Sequence, residues 1–155
     1  MPLESLGDWL KYIETLRPNE NDFSLDRIRP LYQELIEGKF AENTVIVGGT
    51  NGKGTTVEFL QELTKSQGLR VGSYTSPHLF NFNERIRLDG NPVTDCQIIQ
   101  AFKKIEKKRG STRLTYFDFA TLGAFIIFSE AQLDVAILEI GIGGRFDPDN
   151  LVSPD

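Results

Sequence analysis

Residues 44–56 read Thr-Val-Ile-Val-Gly-Gly-Thr-Asn-Gly-Lys-Gly-Thr-Thr, and no other stretch limits the available folds so sharply. The apolar, β-branched run predicts a buried strand, the glycines a turn with exposed backbone, and Lys53 onward a helix. Strand, glycine turn and helix in that order make a cradle for phosphate. Glycine lets successive backbone N–H groups converge on one anion, the helix start adds partial positive charge, and Lys53 offers a mobile ammonium to a terminal phosphate. The candidate nucleotide-binding residues are Gly49, Thr50, Asn51, Gly52, Lys53, Gly54, Thr55 and Thr56.

The register of this loop is unusual. A Walker A loop places glycine five positions before its Gly-Lys pair, and here that position is Val47. Gly54 follows Lys53, so a hydroxyl directed at phosphate or metal must come from Thr55 or Thr56.

The chain has 155 residues and 39% hydrophobic content, ordinary for a globular domain and too apolar for a disordered one. A net charge of -5 argues against broad binding to nucleic acid or anionic membranes. A single cysteine, Cys96, cannot form an internal disulfide, which fits a reducing compartment. The longest apolar run, residues 122–128, is too short to span a bilayer, and a cytoplasmic location is expected.

Two helices are predicted before the first strand. Leu6, Trp9, Leu10, Ile13 and Leu16 recur at helical spacing up to Pro18; Ser24 then caps a helix that turns Leu25, Ile28, Leu31, Tyr32, Leu35 and Ile36 inward, provided Pro30 sits in its first turns. After the phosphate loop, a helix over residues 53–67 faces Val57, Leu60 and Leu63 inward, with Gly68 just past its end. Residues 70–76 form a second strand, so the unit reads as a parallel crossover whose second strand ends beside the first loop. Residues 75–78, Thr-Ser-Pro-His, then lie at the carboxyl edge of the sheet, where open α/β folds bind ligands. Ser76 can offer its hydroxyl to a hard cation there, although Ser-Pro after a strand also reads as a plain turn.

Residues 84–93 predict a hairpin or edge ribbon turning at Asp-Gly-Asn-Pro, with Arg85 and Arg87 on one face. Those arginines could meet an anionic substrate, but solvated arginines on an edge strand are the commoner case. Thr94 caps a helix with Ile98, Ile99, Phe102 and Ile105 inward and a basic last turn. Thr115 and Asp118 form a capping box at the start of a largely apolar helix. A last strand, residues 133–140, carries Glu139 at its end. Apolar residues running into an acid resemble a Walker B strand, in which a carboxylate holds Mg²⁺; a structural ion pair is the other reading. Three parallel strands make a thin sheet, whose open edge invites self-association.

Four segments together resemble folylpolyglutamate synthase/dihydrofolate synthase of the bifunctional bacterial type, within the Mur ligase superfamily. They are Gly-Thr-Asn-Gly-Lys-Gly-Thr at 49–55, Thr-Ser-Pro-His-Leu at 75–79, Leu-Thr-Tyr-Phe-Asp-Phe-Ala-Thr-Leu at 114–122, and Leu-Glu-Ile-Gly-Ile-Gly-Gly-Arg-Phe-Asp at 138–147. The resemblance implies a P-loop NTPase-like α/β fold, a parallel sheet with flanking helices like the Mur ligase central domain. It also implies that residues 1–155 are the N-terminal part of an ATP-binding ligase domain, with leading helices over 1–40, a βαβ core over 44–155 and the family's C-terminal domain absent.

It further implies that the loop holds ATP, that Ser76 and Glu139 bind Mg²⁺, and that Lys53 and Glu139 serve catalysis. The pterin pocket would be formed by Thr115, Tyr116, Phe117, Asp118, Phe119, Ala120, Thr121 and Leu122, with Phe146 and Asn21, Asp22 and Phe23 on its rim. The implied reaction is ATP-dependent addition of L-glutamate to dihydropteroate or a folate through an acyl phosphate, with only small-molecule partners. Two rival readings are a nucleotide- or pterin-binding piece without turnover, and another P-loop NTPase or a cell-wall Mur ligase.

Overall fold

The structure is a computed structural model and describes residues 3–16, 25–141 and 147–155. Helix α1 spans Leu6–Thr15, opened by a Ser5–Asp8 capping box, and buries Leu6, Trp9 and Ile13. Helix α2 spans Arg29–Leu35 and begins later than its sequence pattern predicts, after a separate 3-10 turn at Leu25–Arg27. Pro30 explains the break: its ring would meet the carbonyl of Asp26 in a continuous helix, so the helix restarts with Pro30 in its first turn. The predicted cap Ser24 and the predicted stop Pro18 lie outside the described residues.

Strand β1 (Ala41–Val47) leads into the glycine loop, helix α3 (Lys53–Ser66) and strand β2 (Val71–Tyr74). A ribbon follows, strands β3 (Ile86–Leu88) and β4 (Asn91–Pro92), then helices α4 (Asp95–Arg109) and α5 (Tyr116–Ala131), and strand β5 (Leu133–Glu139). The sheet order is β1-β5-β2-β3-β4, with β1, β5 and β2 parallel and the ribbon antiparallel. The sheet is therefore wider than three strands, and β5 separates β1 from β2 instead of leaving them adjacent. Register still brings the carboxyl ends together, since Val47 stands opposite Glu139 and Tyr74 opposite Leu138.

One face of the sheet carries α3, packed through Val57 onto Val47, Val71 and Ile137. The other face carries the larger core, in which α5 is buried on nearly every side with Phe119, Leu122, Phe125 and Phe128 fully enclosed. Leu63 is half exposed, contrary to the expected inward stripe, because α3 turns Gln61 inward in its place. The Ser73 hydroxyl donates to Gln61 Oε1 at 2.7 Å, which makes a buried amide tolerable there. The outer edge of β1 is partly covered, since the Thr44 N–H donates to the Asp155 carboxylate and the Thr44 carbonyl accepts the Asp155 N–H. No described helix is long and apolar enough to cross a membrane.

Candidate nucleotide and substrate site

Three loops meet at the carboxyl edge of β1, β5 and β2. The glycine loop has Gly49 and Gly52 at positive φ, and Gly52 caps α3 without any side-chain hydrogen bond. The first N–H groups of α3 are thus left for an incoming acceptor, at the positive end of the helix. Lys53 Nζ rests on the Gly49 carbonyl at 3.0 Å, folding the ammonium back over the loop. The Thr56 hydroxyl donates to the Gly52 carbonyl at 2.9 Å, whereas the exposed Thr55 hydroxyl has no hydrogen-bond partner among the described residues. Of the two threonines left open by sequence, Thr55 is the one free to turn toward a ligand.

Glu139 ends β5 in the middle of the sheet. It is buried and accepts the Ser76 N–H at 3.2 Å, which ties the end of β5 to the loop after β2. A methyl group placed on Gly141 would lie 2.9 Å from Ser76 Oγ and 2.6 Å from the Phe117 ring. Only glycine lets the β5 end, the Ser76 hydroxyl and the start of α5 approach so closely. No three carboxylate, histidine or cysteine side chains gather around a metal-sized point among the described residues. The available donors, a hydroxyl and a buried carboxylate, are hard oxygens that suit Mg²⁺ when ligand oxygens complete the shell.

The segment read as a pterin pocket divides in two. Thr115, Tyr116 and Phe117 are half-buried, while Asp118, Phe119, Ala120, Thr121 and Leu122 are buried in the core. Asp118 accepts the Thr115 N–H at 2.7 Å and the Arg27 guanidinium at 2.6 Å, so it fixes the helix start. Asn21, Asp22, Phe23 and Phe146 lie outside the described residues.

The two ribbon arginines do not share a face. Arg87 meets Glu58 of α3, whereas Arg85 closes a 3-10 turn, Phe82–Arg85, and lies over the rings of Phe82 and Tyr116 toward α5. The turn breaks the strand alternation that would have aligned them. Arg85 Nε donates to His78 Nδ1 at 2.8 Å; partial burial and that guanidinium both hold the imidazole below its ordinary pKa.

The chain is 42% identical over 150 residues to the dihydrofolate synthase/folylpolyglutamate synthase of Escherichia coli (strain K12), covering 97% of this chain and 36% of that one. It belongs to the dihydrofolate synthase/folylpolyglutamate synthase family. No family model matches the chain. Among solved structures, the bifunctional folylpolyglutamate synthase/dihydrofolate synthase of Yersinia pestis, complexed with AMPPNP and Mn, superposes with a TM-score of 0.93 at 41% identity, over 100% of this chain and 38% of that one. E. coli FolC in complex with DHPP and ADP gives 0.91 at 39% identity, over 99% of this chain and 38% of that one. The chain thus spans about a third of the length of these synthases and has their α/β fold in part.

Beside the residues expected from sequence sits an acidic pair that sequence patterns do not reveal. Asp147 accepts the Gly141 N–H at 2.8 Å and the Asp149 N–H at 2.9 Å, capping the 3-10 turn Pro148–Leu151. Asp149 is fully buried, and neither carboxyl oxygen finds a hydrogen-bond donor among the described residues. Burial first, then the Asp147 carboxylate and Glu139, push the Asp149 carboxyl well above the usual range. Because the folded pKa is the raised one, folding favours the protonated form. The stability this adds is present below about pH 4 and is lost as pH rises through the folded pKa. Asp149→Asn should therefore raise the melting temperature at pH 8 by roughly 3–8 °C in divalent-free buffer and change it little at pH 4.5. Equal shifts at both pH values would show that ionisation of Asp149 carries no penalty.

Proposed function

We propose that this chain carries the ATP site and the pterin-binding wall of a ligase that adds L-glutamate to dihydropteroate or a folate. The observation that carries the reading is the convergence at Gly141, where Ser76, the end of β5 and Phe117 stand in contact beside the glycine loop. On this reading the glycine loop is the phosphate cradle, Ser76 and Glu139 are two oxygen donors for a cation, and Phe117 is part of an aromatic wall at the same edge. The relatives with solved complexes hold AMPPNP with Mn, or DHPP with ADP.

The reaction such a site serves is acyl transfer by way of a mixed anhydride. The substrate carboxylate attacks the γ-phosphate, ADP departs, and the glutamate amine then displaces phosphate to form the amide. The α3 N–H groups and Lys53 hold the β- and γ-phosphates and offset charge that builds on them, while Thr55 offers its hydroxyl nearby. Ser76 and Glu139 would hold Mg²⁺, which supplies charge neutralisation of the phosphates. Tyr116 and Phe117 would form a wall for the flat pterin ring, and no nucleophilic side chain is required. The partners are small molecules, the setting is cytoplasmic, and self-association at β1 is confined to what Asp155 leaves open.

Calorimetric titration with AMPPNP tests this reading. Affinity should be at least about tenfold higher with Mg²⁺ than with EDTA, and Glu139→Gln should remove most of that ratio. A folded chain whose affinity ignores Mg²⁺ would overturn the assignment of Ser76 and Glu139. Phosphate release on adding dihydropteroate and L-glutamate separates turnover from the second reading, binding without turnover.

A further inference from the structure

Arg85 is buried at 8% exposure, yet among the described residues its guanidinium makes one hydrogen bond, from Nε to the neutral nitrogen of His78. Its two terminal nitrogens have no hydrogen-bond or ion-pair partner among the described residues. Arg27, Arg70, Arg87 and Arg109 differ, since each meets a carboxylate. The neighbouring Glu84 does not fill that role, because its carboxylate is taken up by the N–H groups of Leu79, Phe80 and Asn81. Ring faces of Phe82 and Tyr116 at 5.6 and 5.7 Å hold the guanidinium in place without neutralising it. The terminal nitrogens are not closed off, so this largely buried cation keeps an open edge that meets no carboxylate among the described residues and that an arriving anion can pair with.

The position says which anion. Arg85 bridges His78, two residues beyond Ser76, and Tyr116, next to the Phe117 wall. That lies between the phosphate side of the site and its aromatic side, where the reacting carboxylate of a pterin substrate has to stand. Resting on the function proposed above, we infer that Arg85 is the receptor for the aryl carboxylate of that substrate, gripping it by the guanidinium's free edge. His78 is a positioning residue that keeps the fork turned inward without competing for the anion.

The test compares dihydropteroate with its decarboxylated analogue, titrated calorimetrically into the full chain. Dihydropteroate should bind the wild type about tenfold or more tighter than the analogue, the range expected for a hydrogen-bonded charge. Arg85→Gln should bring the two within about twofold by weakening dihydropteroate alone, and Arg85→Lys, which keeps charge but loses the fork, should fall between. Equal binding of both compounds to the wild type, which needs no variant, would overturn the assignment and leave the pterin site standing. Equal weakening of both in Arg85→Gln would mark Arg85 as packing only. Failure of both compounds to bind a folded chain that takes up Mg-AMPPNP would overturn the pterin reading and this inference with it.

Discussion

Lys53→Ala should weaken Mg-AMPPNP binding by about ten- to 150-fold, the worth of one hydrogen bond to a charged group. Lys53 is the first residue of α3 and, with the backbone N–H groups, the cradle's only cation within the loop itself. In the ligand-free loop its ammonium lies on the Gly49 carbonyl at 3.0 Å, a neutral partner that a γ-phosphate readily replaces. That exchange leaves the fold untouched, so the melting temperature of the variant should stay within about 2 °C of the parent, as for other substitutions outside the core. Lys65→Ala on the same helix is the control: Lys65 pairs with Glu62 in the last turn, far along the axis, and its loss should leave affinity unchanged. Calorimetry at two salt concentrations completes the test, since the loss should shrink as screening grows. A change of less than about twofold would mean that backbone N–H groups alone hold the phosphates.

Legibility from sequence followed the range of the physical signal. Residues 44–66 could be read because strand, glycine turn and helix are each local, and the structure keeps them as β1, the loop and α3. The cap at Thr94 and the capping box at Thr115–Asp118 were readable for the same reason: donor and acceptor are three residues apart. Strand order was not readable, because nothing in residues 70–76 says that β5, some sixty residues later, will lie between β2 and β1. Its placement follows from burial on both faces, a property of the assembled sheet.

The same limit governed individual side chains. Gln61 looks solvent-facing until Ser73 is found opposite it, and Leu63 looks buried until Gln61 takes its place. Arg85 looks like an edge-strand arginine because the 3-10 turn that buries it depends on Glu84 gathering three loop amides. Asp149 looks like one more acid in a polar tail, and only the packing of its turn against α5 hides it. Polar residues in the interior carry no periodic signature of their own, so patterns tuned to apolar spacing pass over them.

Asp118→Ala should cost the fold about 3–5 kcal/mol, enough to leave the chain marginal or unfolded at 37 °C. Its carboxylate is 3% exposed and accepts from two donors at once, the Arg27 guanidinium at 2.6 Å and the Thr115 N–H at 2.7 Å. The substitution therefore leaves a cation at 14% exposure without this counter-charge and opens the N-terminal cap of the most buried helix in the core. Both losses act on one joint, where the turn before α2 meets the start of α5 and thereby sets the position of Tyr116 and Phe117. Asp118→Asn separates the two roles: its amide oxygen can still accept from Thr115, but it no longer balances Arg27, so about half of the loss should remain. Arg27→Met in the Asn background should then recover part of the stability, because replacing both partners removes a mostly buried charge that has lost the Asp118 carboxylate. Urea denaturation of the four chains measures this cycle, with a coupling energy of at least about 1 kcal/mol expected between the two positions. Additive losses would mean that Arg27 and Asp118 stabilise the joint independently, and that the cap alone holds α5 in place.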